Sequence, residues 1–167
     1  MWWTLQRLRS NDAAARRRAA IKLYKRRDVR TVGPLLVALT DLSADAHAIA
    51  ARALGEIGHA GAIGPLIAAL KDWHSEVRWA ATEALAKVGG MAVEPLIAAL
   101  MDRENIVRKS AAEVLGKLND ARAIEPLVAR LADDTYDVRR QAARALEAMG
   151  WQPQSPVHRA LVGITTR

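Results

Sequence analysis

The octet Pro34-Leu35-Leu36-Val37-Ala38-Leu39-Thr40-Asp41 returns as Pro65 to Asp72, as Pro95 to Asp102 and as Pro126 to Asp133. Its prolines are spaced 31, 30 and 31 residues apart, and so are its aspartates. An echo of this length constrains the fold more than any motif inside it. Each unit is one supersecondary element that buries its apolar face only against its neighbours, so the chain must stack rather than close around a single centre.

Two helical stripes follow one another within each unit. Ile63, Leu66, Ile67 and Leu70 fall at i, i+3, i+4 and i+7; after the turn Trp73-His74-Ser75, Val77, Ala81, Ala84, Leu85 and Val88 resume the helical period. Pro65 sits near the start of the first helix, where its missing N–H costs little, or slightly inside, where it would bend the axis. Gly89 stops the second helix, since glycine takes the left-handed conformation readily. The second stripe recurs as Val107, Ala111, Val114, Leu115, Leu118, as Val138, Ala142, Ala145, Leu146, Met149, and upstream as Ala46, Ala50, Ala53, Leu54, Ile57. Stepping back one period predicts a further second helix over Asp12 to Arg26, with Leu23 matching Leu54. After the break Gly150-Trp151-Gln152-Pro153, residues Pro156 to Leu161 echo Pro95 to Leu100 as a lone closing helix. The chain therefore divides as a basic N-terminal capping repeat (1–28), repeats at 29–58, 59–89, 90–119 and 120–150, and a C-terminal capping helix (151–167), all in one domain. Trp2, Trp3 and Trp151 are expected to cover the apolar ends of the stack, and Trp73 to sit on a turn as a rim residue.

Half the chain is hydrophobic, yet only 4% is aromatic and Phe is absent, so the core must be Ala, Leu, Ile and Val. Such side chains favour closely packed helices. The absence of Cys excludes disulfide frameworks, thiolate zinc sites and Cys nucleophiles, and fits a reducing compartment. No apolar run approaches the ~20 residues that span a bilayer, and Met1-Trp2-Trp3-Thr4-Leu5-Gln6-Arg7 lacks the order of a secretion signal. The expectation is a soluble, untargeted, cytoplasmic protein. Its net charge of +7 is concentrated: residues 1–30 hold ten Lys/Arg against Asp12 and Asp28, and the remainder is close to neutral. The basic character thus describes one terminal patch.

The unit Pro-Leu-Ile-Ala-Ala-Leu-x-Asp, followed by Val-Arg-x-x-Ala-x-x-Ala-Leu, resembles the HEAT-like repeats of the short type associated with phycobilisome lyase subunits, over residues 10–150. The resemblance implies an all-α fold: a right-handed α-solenoid of about five HEAT-like helical hairpins with a terminal half-repeat, its second helices lining a concave side. His47 stands where other repeats carry Arg78, Arg108 and Arg139, and Ser10 where they carry Asp, which predicts less regular packing over the first unit and a half.

The recurrent pairs Asp72/Arg78, Asp102/Arg108 and Asp133/Arg139 read as scaffold bonds, because a catalytic site is built once whereas these recur every period. In each, the Asp should tie down the turn while the Arg bridges it or the next unit. The partner-contacting row that the resemblance places on the second helices comprises Arg17, Arg18, Ile21 and Lys25; Ala48, Ile49, Arg52 and Glu56; Ser75, Glu76, Trp79, Ala80, Glu83 and Lys87; Asn105, Ile106, Lys109, Ser110, Glu113 and Lys117; and Tyr136, Asp137, Arg140, Gln141 and Arg144. Within it, Arg17, Arg18, Ile49, Arg52, Trp79, Glu83, Lys87, Lys109, Glu113, Lys117, Tyr136, Arg140 and Arg144 form the candidate partner-binding set. Trp79 is its most pointed member, since Trp, Tyr and Arg dominate binding hot spots.

No chemistry accompanies this surface. None of His47, His59, His74 and His158 is followed by Glu, and none shares an i, i+4 face with another His. The deoxyhypusine hydroxylases, which resemble this architecture, place His-Glu iron ligands just after the Val-Arg; here Trp79-Ala80 and Lys109-Ser110 occupy those places. His47, His59 and His74 fall at turns or helix starts, where solvated imidazoles are common. No phosphate loop or nucleophile elbow is present. The sequence therefore predicts a monomeric, non-enzymatic scaffold without metal or cofactor, which grips a protein bearing an acidic patch along its concave face. The alternative is nucleic-acid binding through Arg16, Arg17, Arg18, Lys22, Lys25, Arg26, Arg27 and Arg30. A role as a bilin-lyase-like accessory subunit follows only from the family name.

Overall fold

The structure, a computed structural model, describes residues 6–8, 10–26, 28–40, 44–153 and 155–165. The proposed cap residues Trp2 and Trp3 lie outside these. Among the described residues there are helices and no strands. In chain order the α-helices are Ala13–Tyr24 (α1), Val32–Ala38 (α2), Ala44–Ile57 (α3), Ile63–Ala69 (α4), Ser75–Val88 (α5), Val93–Ala99 (α6), Asn105–Leu118 (α7), Ile124–Arg130 (α8), Tyr136–Ala148 (α9) and Pro156–Thr165 (α10). They fall into two compact units, Met1–Val88 and Gly89–Arg167.

The first helix of each hairpin (α2, α4, α6 and α8) is seven residues long and is entered through a single turn of 3₁₀ helix. Pro34, Pro65, Pro95 and Pro126 each stand third in the α-helix, inside the first turn, where no intrahelical bond is asked of the missing N–H. Seven residues cannot hold a helix alone. Burial does so: Leu35, Leu66, Leu96 and Leu127 are completely buried, each contributing about 1.5–3 kcal/mol. In the first unit α2 packs on α3, α4 on α5, and the second helices α1, α3 and α5 lie successively side by side. In the second unit α6 packs on α7 and α8 on α9, α7 lies against α9, and α10 closes against α9.

In the α3–α5 and α7–α9 pairs the second helices come so close that only Gly and Ala fit at the points of contact. A Cβ added to Gly55 of α3 would lie 2.5 Å from the Ala84 Cα of α5, and one on Gly116 of α7 would lie 2.8 Å from the Ala145 Cβ of α9. Chain reversal after α3, α5, α7 and α9 uses a left-handed residue. Gly58, Gly89 and Gly150 supply it at φ 67°, 77° and 71°, and Asn119 fills the same place at φ 52°.

The turns inside the hairpins realise both roles read into the Asp–Arg pair. Each Asp carboxylate accepts the backbone N–H two residues on: Asp72 from His74 (2.8 Å), Asp102 from Glu104 (2.8 Å) and Asp133 from Thr135 (3.0 Å). Each Arg donates Nη1 back to the turn's carbonyls, Arg78 to Asp72 (2.7 Å), Arg108 to Asp102 (2.9 Å) and Arg139 to Asp133 (2.8 Å). Arg108 also reaches the next repeat, donating from Nε and Nη2 to the Asp133 carboxylate at 3.0 and 2.9 Å. The first turn, where Ser10 stands for the repeated Asp, keeps the same bonding plan. Arg16 donates to the Ser10 carbonyl at 2.7 Å, and the Ser10 hydroxyl accepts the Asp12 N–H at 3.2 Å. A serine oxygen replaces the carboxylate oxygen without changing the bonding plan. His47 is not the solvated imidazole expected: it lies inside α3, its side chain 12% exposed, with Nδ1 3.2 Å from the Asp72 carboxylate of the next repeat. Buried polar groups need such partners.

Candidate functional face and its cleft

On α5, Val77, Ala81, Ala84, Leu85 and Val88 turn inward, which leaves Glu76, Trp79, Glu83 and Lys87 at least partly in solvent. Trp79 is 54% exposed, and the Arg52 guanidinium of α3 stacks over its ring 5.1 Å from the centroid. A cation held on an aromatic face is oriented rather than free, and its N–H edge stays available for a partner. Neighbouring candidates are tied more tightly: Arg17 of α1 pairs with Asp45 of α3 at 3.2 Å, Arg18 with Asp12 at 3.3 Å, and Lys87 with Glu56. Ile49 is half-buried between α1 and α3.

The row needs one correction. Ala48, Ala80 and Ser110 are buried rather than offered to a partner. Ala80 lies one turn before Ala84 on the side turned to α3, where the Gly55 contact leaves no room for solvent. These positions are small because they belong to the helix–helix seam.

Between α1 and α3 the seam is open. Ile21, Tyr24, Lys25, Ile49 and Arg52 line a cavity of about 320 Å³. Tyr24 is absent from the row read off the sequence, although it stands three residues after Ile21, on the same helical face.

In the second unit, Lys109 of α7 donates to Asp137 of α9 at 3.1 Å, and this hydrogen bond holds the Asp137 carboxyl below its ordinary pKa. Glu113 and Lys117 pair along α7 at 3.0 Å. Tyr136, 44% exposed, carries the Arg139 guanidinium over its ring at 5.6 Å; Arg140 is half-buried and Arg144 exposed. The candidate residues fall in two groups, Arg17, Arg18, Ile49, Arg52, Trp79, Glu83 and Lys87 in the first unit, and Lys109, Glu113, Lys117, Tyr136, Arg140 and Arg144 in the second.

Elsewhere, Trp73 is 96% exposed on its turn, beyond what a rim residue would show. Trp151 is half-buried and its ring centroid lies 5.5 Å from that of His158 in α10. Among the described residues no three His, Asp or Glu groups are placed to hold a metal ion, and no helix is long and apolar enough to cross a membrane.

The sequence matches the family model of HEAT repeats twice, over residues 3–86 and 64–147. The chain belongs to the HEAT-repeat family. This HEAT-repeat chain is similar to a chain in the complex of CpcE and CpcF of phycocyanin lyase from Nostoc sp. PCC7120, at 28% identity and a TM-score of 0.58, covering 95% of this chain and 66% of that one. It therefore spans slightly less than two thirds of that relative's length. An engineered protein is similar at 24% identity and a TM-score of 0.50, covering 97% of this chain and 83% of that one. Human deoxyhypusine hydroxylase, solved with glycerol, is similar at 21% identity and a TM-score of 0.45, covering 98% and 82%. No curated protein matches the sequence. The repeat architecture fits a scaffold that binds protein.

Proposed function

We propose that this HEAT-repeat chain is a monomeric, non-enzymatic scaffold that binds a protein carrying an acidic segment, using the outward faces of its second helices. The observation that carries the reading is Trp79, a large aromatic kept more than half exposed and stacked with Arg52 beside an α3–α5 seam closed by Gly55, Ala80 and Ala84. Exposing that ring costs hydrophobic free energy that a bound partner would recover. The 1–28, 29–58, 59–89, 90–119 and 120–150 repeats and the 151–167 cap are the units we assign to this scaffold.

The test is affinity capture on the immobilised full-length chain. One protein should be retained by the parent, and Trp79→Ala should weaken it by about thirtyfold, the scale of a hot-spot truncation. Far-ultraviolet circular dichroism of the variant should be unchanged. Retention of no specific protein, or equal retention by parent and variant, refutes the reading.

Nucleic-acid binding is the second reading, favoured by the exposed Lys22 and Lys25. The patch is smaller than its sequence count, because Arg17, Arg18 and Arg30 are each matched to an aspartate. Gel shifts with duplex and single-stranded probes at low salt decide it; phosphate binding by this patch must weaken steeply as salt rises.

A further inference from the structure

We infer that the cleft between α1 and α3 is a socket for one apolar side chain carried on an acidic peptide segment. The assignment rests on the scaffold reading and specifies what the partner presents at this place. The cleft arises from a departure in the repeat register. Where the α3–α5 seam has Gly55 and Ala80, the α1–α3 seam has Tyr24 and Ile49, one period earlier in each helix. Gly55 lies against the Ala84 backbone with no room for a Cβ, and Ala80 is fully buried, whereas Tyr24 and Ile49 are half-buried and line an open cleft, and α1 packs on α3 less extensively than α3 on α5. The space left, about 320 Å³, is at the small end of ligand cavities and is floored by Ile21, Ile49 and the Tyr24 ring. Its chemistry selects an aliphatic or aromatic side chain.

The rim selects the flanking residues. Lys25 and Arg52 border the cavity, and among the described residues neither has a carboxylate within ion-pair distance, unlike Arg17, Arg18 and Lys87 nearby. Arg52 is held on the Trp79 ring, which pre-sets its planar fork for a carboxylate. α1 adds the exposed Lys22, and residues 1–30 contain ten Lys or Arg but only two Asp. An acidic chain is attracted here and a basic one repelled. A nucleobase is disfavoured, because the apolar floor offers few groups to read its edges and the sole aromatic of the lining, Tyr24, is no ladder for stacking.

Fluorescence polarisation on the full chain tests this with four labelled probes in 50 mM salt. They are Asp-Glu-Asp-Glu-Leu-Asp-Glu-Asp, the same peptide with Leu replaced by Ser, a Lys/Arg counterpart that keeps the Leu, and dodecathymidylate. The Leu peptide should bind about tenfold more tightly than the Ser peptide, the scale of one buried aliphatic side chain, and the basic peptide should not bind. Lys25→Glu and Arg52→Glu should each weaken it by about tenfold, while Arg159→Glu on α10, which makes the same charge change elsewhere, should stay within about twofold. The peptide Leu-to-Ser comparison needs no protein variant, so a misfolded mutant cannot obscure the result. Equal affinity for the Leu and Ser peptides, tighter binding of dodecathymidylate, or no peptide binding overturns the socket. If affinity capture sensitive to Trp79→Ala persists in that case, the scaffold reading stands without the socket; if both fail, both fall.

Discussion

Arg108 is the most heavily engaged side chain in the second unit, and Arg108→Met measures what the repeat-to-repeat bond contributes. The substitution keeps the unbranched stem and removes the guanidinium, which donates twice to the buried Asp133 carboxylate, once to Asp134 at 2.7 Å, and to the carbonyls of Asp102 and Arg103. The Asp134 bond counts for little, since that side chain is 86% exposed. The Asp133 pair counts for most: its side chains are 10% and 2% exposed, and breaking a buried pair from one side costs about 3–5 kcal/mol. Asp133 keeps the Thr135 N–H and Arg130 Nη1 at 3.4 Å, so the lower end, about 3 kcal/mol, is expected. At a urea slope of about 2 kcal/mol per molar, the second unit's midpoint should fall by roughly 1.5 M. Burial opposes ionisation of Asp133, but the hydrogen bonds from Arg108 and the Thr135 N–H overcome it and leave the carboxyl below its ordinary value, while the same bond raises Arg108. A carboxyl with a lowered folded-state pKa contributes stability that is complete above its unfolded value, about 3.9, and lost as pH falls through the folded one. The gap between parent and variant should therefore be full at pH 7 and pH 5 and should narrow below pH 4. Urea titrations followed by circular dichroism at pH 7, 5 and 3 supply the measurement. A loss under about 1 kcal/mol at pH 7, or an undiminished gap at pH 3, refutes the reasoning.

Three further outcomes follow from the same geometry. Gly116→Ala should destabilise by about 1 kcal/mol despite alanine's better helix propensity, because its Cβ would sit 2.8 Å from that of Ala145. Gly64→Ala on α4, with open space around it, should instead stabilise by about 0.5 kcal/mol; midpoints moving the same way would show the seam to be looser than described. His47→Arg should raise the thermal midpoint by a few degrees, equivalent to about 0.5–2 kcal/mol, because it puts a permanent charge beside Asp72 where Arg108 stands beside Asp133. A lowered midpoint would mean that the α3 seam cannot admit the longer side chain.

The helices were legible because burial in a stacked chain imposes one period, and Leu35, Leu66, Leu96 and Leu127 report it directly. The double duty of the Asp–Arg pair was legible too, since donors and acceptors at a fixed spacing leave few other bonding plans. Exposure along the second helices was less so. The helical wheel puts Ala48 and Ala80 on the outward row, and only the Gly55–Ala84 approach turns those positions into seam. His47 does stand at a helix start, but its burial was not legible for a related reason: position in sequence does not reveal that Asp72 of the next repeat lies against the ring. The repeat boundaries and the binding row remain assignments of the scaffold proposal, to be tested by the variants above.

In a stacked chain the positions that recur are occupied by structure, so information about a partner must reside where the period is broken. Tyr24 and Ile49 break it at the α1–α3 seam, and Trp79 breaks it at a place where the other repeats carry Arg17, Ala48, Lys109 and Arg140. Arg52 joins the two departures, lining the cleft on one side and stacking on Trp79 on the other. One side chain thus couples an apolar hole to an exposed aromatic. Arg52→Met, which retains the stem and discards the charge, should accordingly lower acidic-peptide affinity while leaving the Leu-over-Ser preference in place, because the cavity floor is untouched. Loss of that preference in Arg52→Met would show that the guanidinium shapes the hole itself, and that charge and cavity are not separable contributions.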